Sequence, residues 1–339
     1  MTSKNLNFRK LLKQARPYLK MLLRIGTSRL SRLSHLIKSK ITAWWQVALA
    51  VVFAIVFLYY PIGGYMINSI DTSPYHAKSR NTSLYTIDSL SYLINREVHH
   101  HIWTPNLPVL FPSYFLDNMP NFQTGIISAV AHTAGGLKQM SFTTSASSPS
   151  ADLDEAARLL RYPADIWLFS KQNRLTPATS SNTQYKKGRR HLNNFNNDIA
   201  SGKIMLSRDA SNFVPILEAV RRDLLNLIKR NSDHIRENNT NLLDFKADDV
   251  FYYAYGKLYA YSQIASSLSL DFKETLVSRD IYQQWTSFIR LLTGASEITP
   301  LIVRNGSLSS GFAPNHLAYL NDLTAQALTY LDAILCQLH

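Results

Sequence analysis

The most pronounced pattern in the chain is a long apolar stretch from Trp44 to Met66, within which no charged residue occurs. A helix rises about 1.5 Å per residue and the hydrocarbon core of a bilayer is about 30 Å thick, so roughly 20 apolar residues span it. We therefore predict one transmembrane helix over residues 44–66. Amphipathic aromatic rings favour the membrane–water interfaces. The aromatic residues expected to anchor the helix are Trp44, Trp45, Tyr59, Tyr60 and Tyr65.

Beyond this stretch, apolar residues recur at three- and four-residue intervals, which is typical of amphipathic helices. The predicted helices cover residues 83–101, 122–140, 152–162, 183–200, 213–230, 247–270, 273–293 and 315–338. Thr82 or Ser83 can cap the first of them. The predicted fold class is therefore mainly α, with an α-helical globular domain over residues 71–339 and minor short β-strands.

The segments between the helices give less certain patterns. Four prolines between residues 105 and 120 indicate an extended, ordered crossing, because proline has a fixed φ and lacks an amide hydrogen. Residues 141–150 are expected to form a flexible surface loop. The apolar runs predicted as short strands are residues 166–169, 203–206 and 301–304.

The segment before the apolar stretch is a basic amphipathic arm, residues 1–43. Apolar residues such as Phe8, Leu11 and Leu19 recur there at helical spacing, with Lys and Arg between them. Pro17 and Gly26 are expected to bend or break this helix.

The charge of the chain lies mainly in that arm. The whole chain carries 36 Lys and Arg residues against 23 Asp and Glu, but eleven of the basic residues and none of the acidic ones lie in residues 1–43. The remainder is therefore close to neutral. Since basic residues flank the cytoplasmic end of membrane spans, we expect the N-terminus to stay in the cytoplasm and the larger C-terminal part to be exported.

The basic arm is also expected to contact anionic lipid, because each Lys or Arg near such a surface contributes about 1 kcal/mol. The residues predicted to make this contact are Lys10, Lys13, Lys20, Arg24, Arg29 and Arg32. The alternative is that these charges only set the topology. Nucleic-acid binding is disfavoured, because Tyr18 is almost the only aromatic residue available for base stacking. The basic region is too long for a cleaved signal peptide, whereas a mitochondrial presequence stays open on composition alone.

Histidines 99–101 are the first candidates for a metal site. Consecutive helical positions point about 100° apart, so these three side chains cannot converge on one ion, and Glu97 with His101 lacks further ligands. We predict no metal, no cofactor and no catalytic residue from the motifs in the chain. Whether the protein is an enzyme stays undecided.

Other chemically suggestive residues have structural interpretations. Asp248 and Asp249 are expected to complement the positive end of a helix. The cluster Tyr252, Tyr253, Tyr255, Tyr259 and Tyr261 is interpreted as a helix interface. The basic patch Lys186, Lys187, Arg189 and Arg190 is interpreted as a solvated face. The single cysteine, Cys336, excludes an intramolecular disulfide and is expected to be buried and inert.

Four phrases resemble one known family. These are REVHHHIWTPNLPVLFPSYFLDNMPNFQTG (96–125), YPADIW (162–167), DDVFYYAYGKLYAY (248–261) and VRNG followed by PNHLA (303–318). They are similar to an uncharacterised proteobacterial family of single-pass inner-membrane proteins, of the domain of unknown function 2333 type. The resemblance covers roughly residues 45–335 and is most specific at LDNMPNFQ (116–123). It implies a bacterial inner-membrane location and argues against a mitochondrial one, but it implies no reaction. The long basic arm departs from the family.

The sequence therefore favours a bitopic inner-membrane protein whose periplasmic helical domain binds other envelope proteins, as part of a secretion or wall-remodelling assembly. Its possible interaction surface is Asp117, Asn118, Met119, Asn121 and Phe122. The alternative is a membrane-anchored hydrolase acting on cell-wall glycan or peptide through Glu97, Asp117 or Asp165. A third hypothesis assigns the function to the basic arm, which would recruit cytoplasmic factors or anionic lipid.

Overall fold

The structure, a computed structural model, describes residues 3–75, 83–108, 110–144, 150–169, 177–238, 246–298, 300, 303 and 315–339. Its contacts divide the chain into two compact units, Met1–Pro61 and Ile62–His339. The fold is mainly α with two short antiparallel strands, as predicted.

The first helix, α1, runs from Ser3 to Ile67. Its segment Trp44–Ile67 is 24 residues long, has a mean hydropathy of 2.2 and is only 6% buried, so it is long and apolar enough to span a membrane. The predicted break at Pro17 and Gly26 was wrong, because α1 is continuous. The flanking Leu, Lys and Arg residues are good helix formers and carry the helix past the proline. Of the predicted anchors, Trp44, Trp45, Tyr59 and Tyr65 are exposed and Tyr60 is half-buried.

The second unit contains the other helices, close to their predicted positions. They are α2 Tyr85–Asn95, α3 Asn118–Leu137, α4 Ser150–Leu160, α5 Ser181–Ala200, α6 Ala210–Asn238, α7 Ala247–Asp271, α8 Lys273–Ser278, α9 Tyr282–Ala295 and α10 His316–Leu338. A π-helical turn, Arg96–His100, extends α2, and a 3-10 turn, Pro112–Phe115, lies in the proline-rich crossing. The single helix predicted over 273–293 is in fact two, separated where Asp280 adopts a positive φ of 53°.

The two strands join distant parts of the chain. Strand β1 (Phe142–Thr144) pairs antiparallel with β2 (Ile204–Leu206), so the prediction for 203–206 was right and the loop predicted over 141–150 was partly wrong. The strand predicted over 166–169 was also wrong. Ile166 is buried but the next three side chains are exposed, and Phe169 makes only one isolated bridge, to Pro177. The run 301–304 lies outside the described residues except for Val303.

Helix α7 lies at the centre of the core, where it packs against α2, α3, α9 and α10. Its tyrosines form the helix interface that the sequence predicted. Tyr255, Tyr259 and Tyr261 are buried, and the rings of Tyr255 and Tyr259 lie 5.6 and 6.0 Å from that of Phe122 on α3. A cavity of about 10 Å³ between α6, α7 and α9 has room for no more than one water molecule. The core around α7 is therefore tightly packed.

The predicted burial of Cys336 was wrong, because its side chain is exposed. Successive helical residues point about 100° apart. In the last turn of α10, Leu335 and Leu338 face the core, and the position between them that Cys336 occupies faces outward.

The start of α2 depends on a carboxylate from α7 rather than on Ser83, whereas Thr82, the other predicted cap, lies outside the described residues. Asp271 accepts hydrogen bonds from the amides of Tyr85 and Thr86, at 2.9 and 2.7 Å, and from the Thr86 hydroxyl at 2.6 Å. This satisfies amide groups that have no partner within the helix. Burial raises the pKa of Asp271 to about 6, and the hydrogen bonds from Thr86 and Tyr85 oppose this shift only in part.

This raised pKa predicts a specific pH dependence of stability. Because the folded carboxyl binds its proton more tightly than the unfolded one, whose pKa is about 3.9, stability falls as pH rises from about 4 to 6. A shift of this size corresponds to about 3 kcal/mol, at about 1.4 kcal/mol per pKa unit. We expect chemical unfolding of full-length protein in detergent to show this decline for wild type relative to Asp271→Asn. In Thr86→Val, which removes a bond to the carboxylate, the decline moves to higher pH. If the free energies of unfolding of wild type and Asp271→Asn changed with pH in the same way, the raised pKa of Asp271 would be contradicted.

Candidate functional site

The predicted interaction surface lies at the start of α3, and only part of it faces solvent. Asp117 is exposed, and Asn118 and Asn121 are half-buried. Met119 and Phe122 are 2% and 0% exposed, so their assignment to a surface was wrong. Because α3 begins at Asn118, these two positions fall on the helix face that packs into the core.

Asp117 and Asn121 instead form a polar cluster with the first turn of α7, where Asp248 and Asp249 lie as predicted. The Asn121 side-chain amide donates to Asp249 Oδ1 at 2.6 Å. Burial, together with the neighbouring Asp117 carboxyl, raises the pKa of Asp249. Two carboxyl groups thus share this edge of the unit.

Glu97, another predicted carboxylate, lies in the core and has a structural partner. Its Oε1 accepts from Arg96 Nε at 2.7 Å, and both side chains are at most 5% exposed. Burial opposes ionisation of Glu97, but the hydrogen bond with His101 and the charge of Arg96 outweigh it and lower the pKa of Glu97. An ionised pair inside the core is unsuited to act on a polymeric substrate. The third predicted carboxylate, Asp165, is exposed in the segment between α4 and α5.

The same arginine joins the juxtamembrane segment to the core. The Arg96 guanidinium lies 4.6 Å above the ring of Tyr259 and donates to its phenol oxygen. The Tyr259 hydroxyl in turn donates to the carbonyl of Ser73 at 2.7 Å. Tyr259 on α7 therefore holds the chain that leaves α1, and Arg96 of the π-helical turn positions Tyr259.

The histidines of this turn do not converge. His99 and His100 are exposed, whereas His101 Nδ1 lies 3.5 Å from Glu97 Oε2. Within the described part of the chain, no three His, Cys, Asp or Glu side chains come together in a way that could hold a metal ion.

A second buried charge pair, which was not predicted from the sequence, is formed by Lys257 on α7 and Asp223 on α6. Lys257 Nζ lies 2.8 Å from Asp223 Oδ1, and each side chain is 3% exposed. The Tyr261 hydroxyl donates to the other carboxylate oxygen at 2.6 Å. Burial and the Asp223 charge raise the pKa of Tyr261, which keeps this phenol protonated as a donor.

The Asp223 carboxylate also contacts a partly exposed side chain, His132 on α3. His132 Nδ1 lies 3.4 Å from Asp223 Oδ2 and 2.8 Å from the carbonyl of Ser128, and its side chain is 41% exposed. Nearby, Tyr253 donates to the Ser128 hydroxyl at 3.0 Å and is covered by the Arg230 guanidinium at 4.2 Å. In this arrangement Lys257 neutralises the buried Asp223 carboxylate, and the contacts with Asp223 and Ser128 orient the imidazole of His132.

A sequence signal for this network did exist. Tyr253, Lys257 and Tyr261 stand at four-residue intervals and therefore share one face of α7. A lysine on the buried face of such a helix requires a carboxylate partner. The partner itself, Asp223, lies 34 residues away, and only the packing of α6 against this face identifies it.

The other predicted site residues are the basic residues of the arm and of α5, and the structure gives only the exposure of their side chains. Lys20 and Arg24 of the basic arm are exposed, whereas the side chains of Lys10, Lys13, Arg29 and Arg32 lie outside the described residues. In the basic patch of α5, Lys187 and Arg190 are exposed and Lys186 and Arg189 are half-buried, consistent with a solvated face.

Comparison with known proteins supports the family resemblance. Residues 106–244 match the model of a family described as an uncharacterized protein conserved in bacteria (DUF2333). This match includes all but the first residue of the proline-rich crossing 105–120, and helices α3 to α6. No curated protein and no solved structure matches the chain.

The buried pair predicts an asymmetric response to mutation. Lys257→Met leaves the Asp223 carboxylate buried without its cation, so we expect the free energy of unfolding to fall by about 3–5 kcal/mol. In the double variant with Asp223→Asn, the loss should be much smaller than the sum of the two single losses. The measurement is chemical unfolding of the full-length protein in detergent.

The matched control is Lys273→Met, which removes an exposed lysine from α8 and should change stability by less than about 0.5 kcal/mol. If Lys257→Met behaved like this control, the pair would have no structural role.

Proposed function

We propose that the protein is a single-pass inner-membrane protein whose periplasmic helical domain serves as an interaction module in a cell-envelope assembly. The observation that carries this proposal is the segment Trp44–Ile67, an apolar helix that is only 6% buried, joined to a well-packed helical unit. An exposed apolar helix of this length is unfavourable in water and favourable in a bilayer.

The proposed orientation is supported by the charge distribution. The arm before the span carries eleven basic residues and no acidic one, whereas the unit after the span is nearly neutral. This asymmetry supports a cytoplasmic arm and a periplasmic helical unit, because basic residues flank the cytoplasmic end of membrane spans.

The interaction role is supported by the way in which ionisable groups are used. Two ion pairs, Arg96–Glu97 and Lys257–Asp223, are buried, and the second of them connects α7 to α6. On the surface, by contrast, Trp167, Leu168 and Phe169 form a continuous exposed apolar run, with exposed fractions of 49, 42 and 50%. Exposed apolar runs mark binding surfaces, and tryptophan is enriched at the energetic centres of protein interfaces.

Both parts of the proposal can be tested with cysteine chemistry on intact spheroplasts. The native Cys336 is exposed, so a membrane-impermeant maleimide should label it without lysis. For the second part, Cys336→Ser is combined with Trp167→Cys or with Lys273→Cys, and the cells are treated with an impermeant bifunctional maleimide. The cysteine at position 167 should become crosslinked to an envelope protein, whereas the cysteine at position 273 should not. Labelling of Cys336 only after lysis would overturn the orientation. Labelling without any protein adduct at position 167 would count against the interaction role.

One observation favours a second candidate function, a membrane-anchored hydrolase of cell-wall glycan or peptide. Asp117 and Asp249 lie side by side, and the raised pKa of Asp249 suits a carboxyl group that holds a proton for general acid catalysis. Release of soluble fragments from isolated cell walls by the full-length protein, and its loss in Asp249→Asn, would support this function. An inactive wild-type protein would dismiss it.

A further inference from the structure

The proline-rich crossing contains an uncharged apolar loop that lies against the end of the apolar helix. Between Ile102 and Leu116 the chain has no charged residue. Within this stretch Leu110 and Tyr114 are 77% and 52% exposed. Two tight turns fix the loop backbone, through hydrogen bonds from the amide of Phe111 to the carbonyl of Pro108 and from the amide of Tyr114 to the carbonyl of Phe111, at 2.9 and 3.0 Å.

Glycines at the end of α1 allow the loop to approach this closely. A Cβ atom at Gly63 would lie 2.6 Å from Pro112 Cγ, and one at Gly64 would lie 2.8 Å from Leu116 Cδ1. One turn further on, the Asn68 side-chain oxygen accepts a hydrogen bond from the amide of Met119 at 3.1 Å. The loop is therefore held in place against residues 63–68.

These contacts show that the loop lies beside the last turn of the apolar segment. Gly63 precedes the last residue of that segment, Ile67, by four residues, which corresponds to about 6 Å of helix. Tyr65 and Met66, at the same level, are 85% and 72% exposed. In a helix that spans a bilayer, this level corresponds to the interfacial layer, where amphipathic segments bury their apolar face by roughly 5–10 Å.

We propose that this loop forms a second membrane contact, in which Leu110 and Tyr114 insert into the interfacial layer of the leaflet that faces the helical domain. The occupant of this apolar surface is lipid, because the surface is continuous with the end of the apolar helix and carries no charge. The loop and α1 together then fix the domain to the membrane at two points. This inference rests on the membrane anchoring proposed above.

The test uses full-length protein with Cys336→Ser, reconstituted into nanodiscs of phosphatidylcholine and phosphatidylglycerol. A single cysteine replaces Leu110, Val52 or Val277 and carries an environment-sensitive fluorophore. Val52 is 57% exposed in the apolar helix. Val277 is 59% exposed on α8, which follows the C-terminal end of α7, and that end lies about 33 Å along α7 from Asp249. Val277 is therefore a matched control for exposure.

We expect the emission at position 110 to shift to the blue and to be quenched by lipids with a nitroxide near the headgroup, while iodide in the buffer quenches it little. Position 277 should show the reverse, and position 52 should be quenched by lipids with a nitroxide deep in the acyl chain. If position 52 responded to lipid but position 110 behaved like 277, the loop would lie in water. If position 110 resisted both quenchers, a polypeptide would cover it. Either result overturns the lipid contact, whereas a lipid-insensitive position 52 would overturn the membrane anchoring itself.

Discussion

The contact on which the helical unit depends is the backbone crossing of α3 and α7. A Cβ atom at Gly125 would lie 2.1 Å from the carbonyl oxygen of Tyr253, and one at Gly256 would lie 2.1 Å from the carbonyl oxygen of Phe122. Each helix thus places a glycine against the backbone of the other. No residue with a side chain fits at these positions, so both glycines are required for the close approach rather than for conformational freedom.

This crossing accounts for the arrangement of charge inside the unit. Because much of α7 is buried, its buried polar residues have no access to water and must find partners on neighbouring helices. Lys257 pairs with Asp223 on α6, and Asp271 caps the start of α2. The phenol of Tyr259 takes a hydrogen bond from Arg96 and gives one to the segment that leaves α1. The buried polar contacts are therefore the means by which one central helix fixes the register of the elements around it.

Sequence patterns predicted those features that depend on local periodicity. The apolar segment, the helix positions and the tyrosine interface of α7 followed from spacing alone. Contacts between residues far apart in the sequence could not be predicted in this way. Asp223 and Lys257 are 34 residues apart, and Asp271 lies 185 residues from Thr86. The orientation of Cys336, which faces outward, and of Met119 and Phe122, which face inward, was not predicted, because an apolar stretch or a family-specific phrase does not show which helix face is buried. The strand Phe142–Thr144 was missed because these three residues lie in a run rich in serine and threonine, and their pairing partner β2 is about 60 residues away in the sequence.

The central claim is that the direct backbone contact of α3 and α7 determines the stability of the unit. It is tested most directly by thermal unfolding of full-length Gly256→Ala beside Gly294→Ala, a glycine of α9 whose added Cβ would have nothing within 4 Å. Overpacking at Gly256 should lower stability by about 3 kcal/mol or prevent folding, whereas Gly294→Ala should leave stability unchanged or raise it by about 0.5–1 kcal/mol. Equal unfolding temperatures for Gly256→Ala and wild type would contradict the claim.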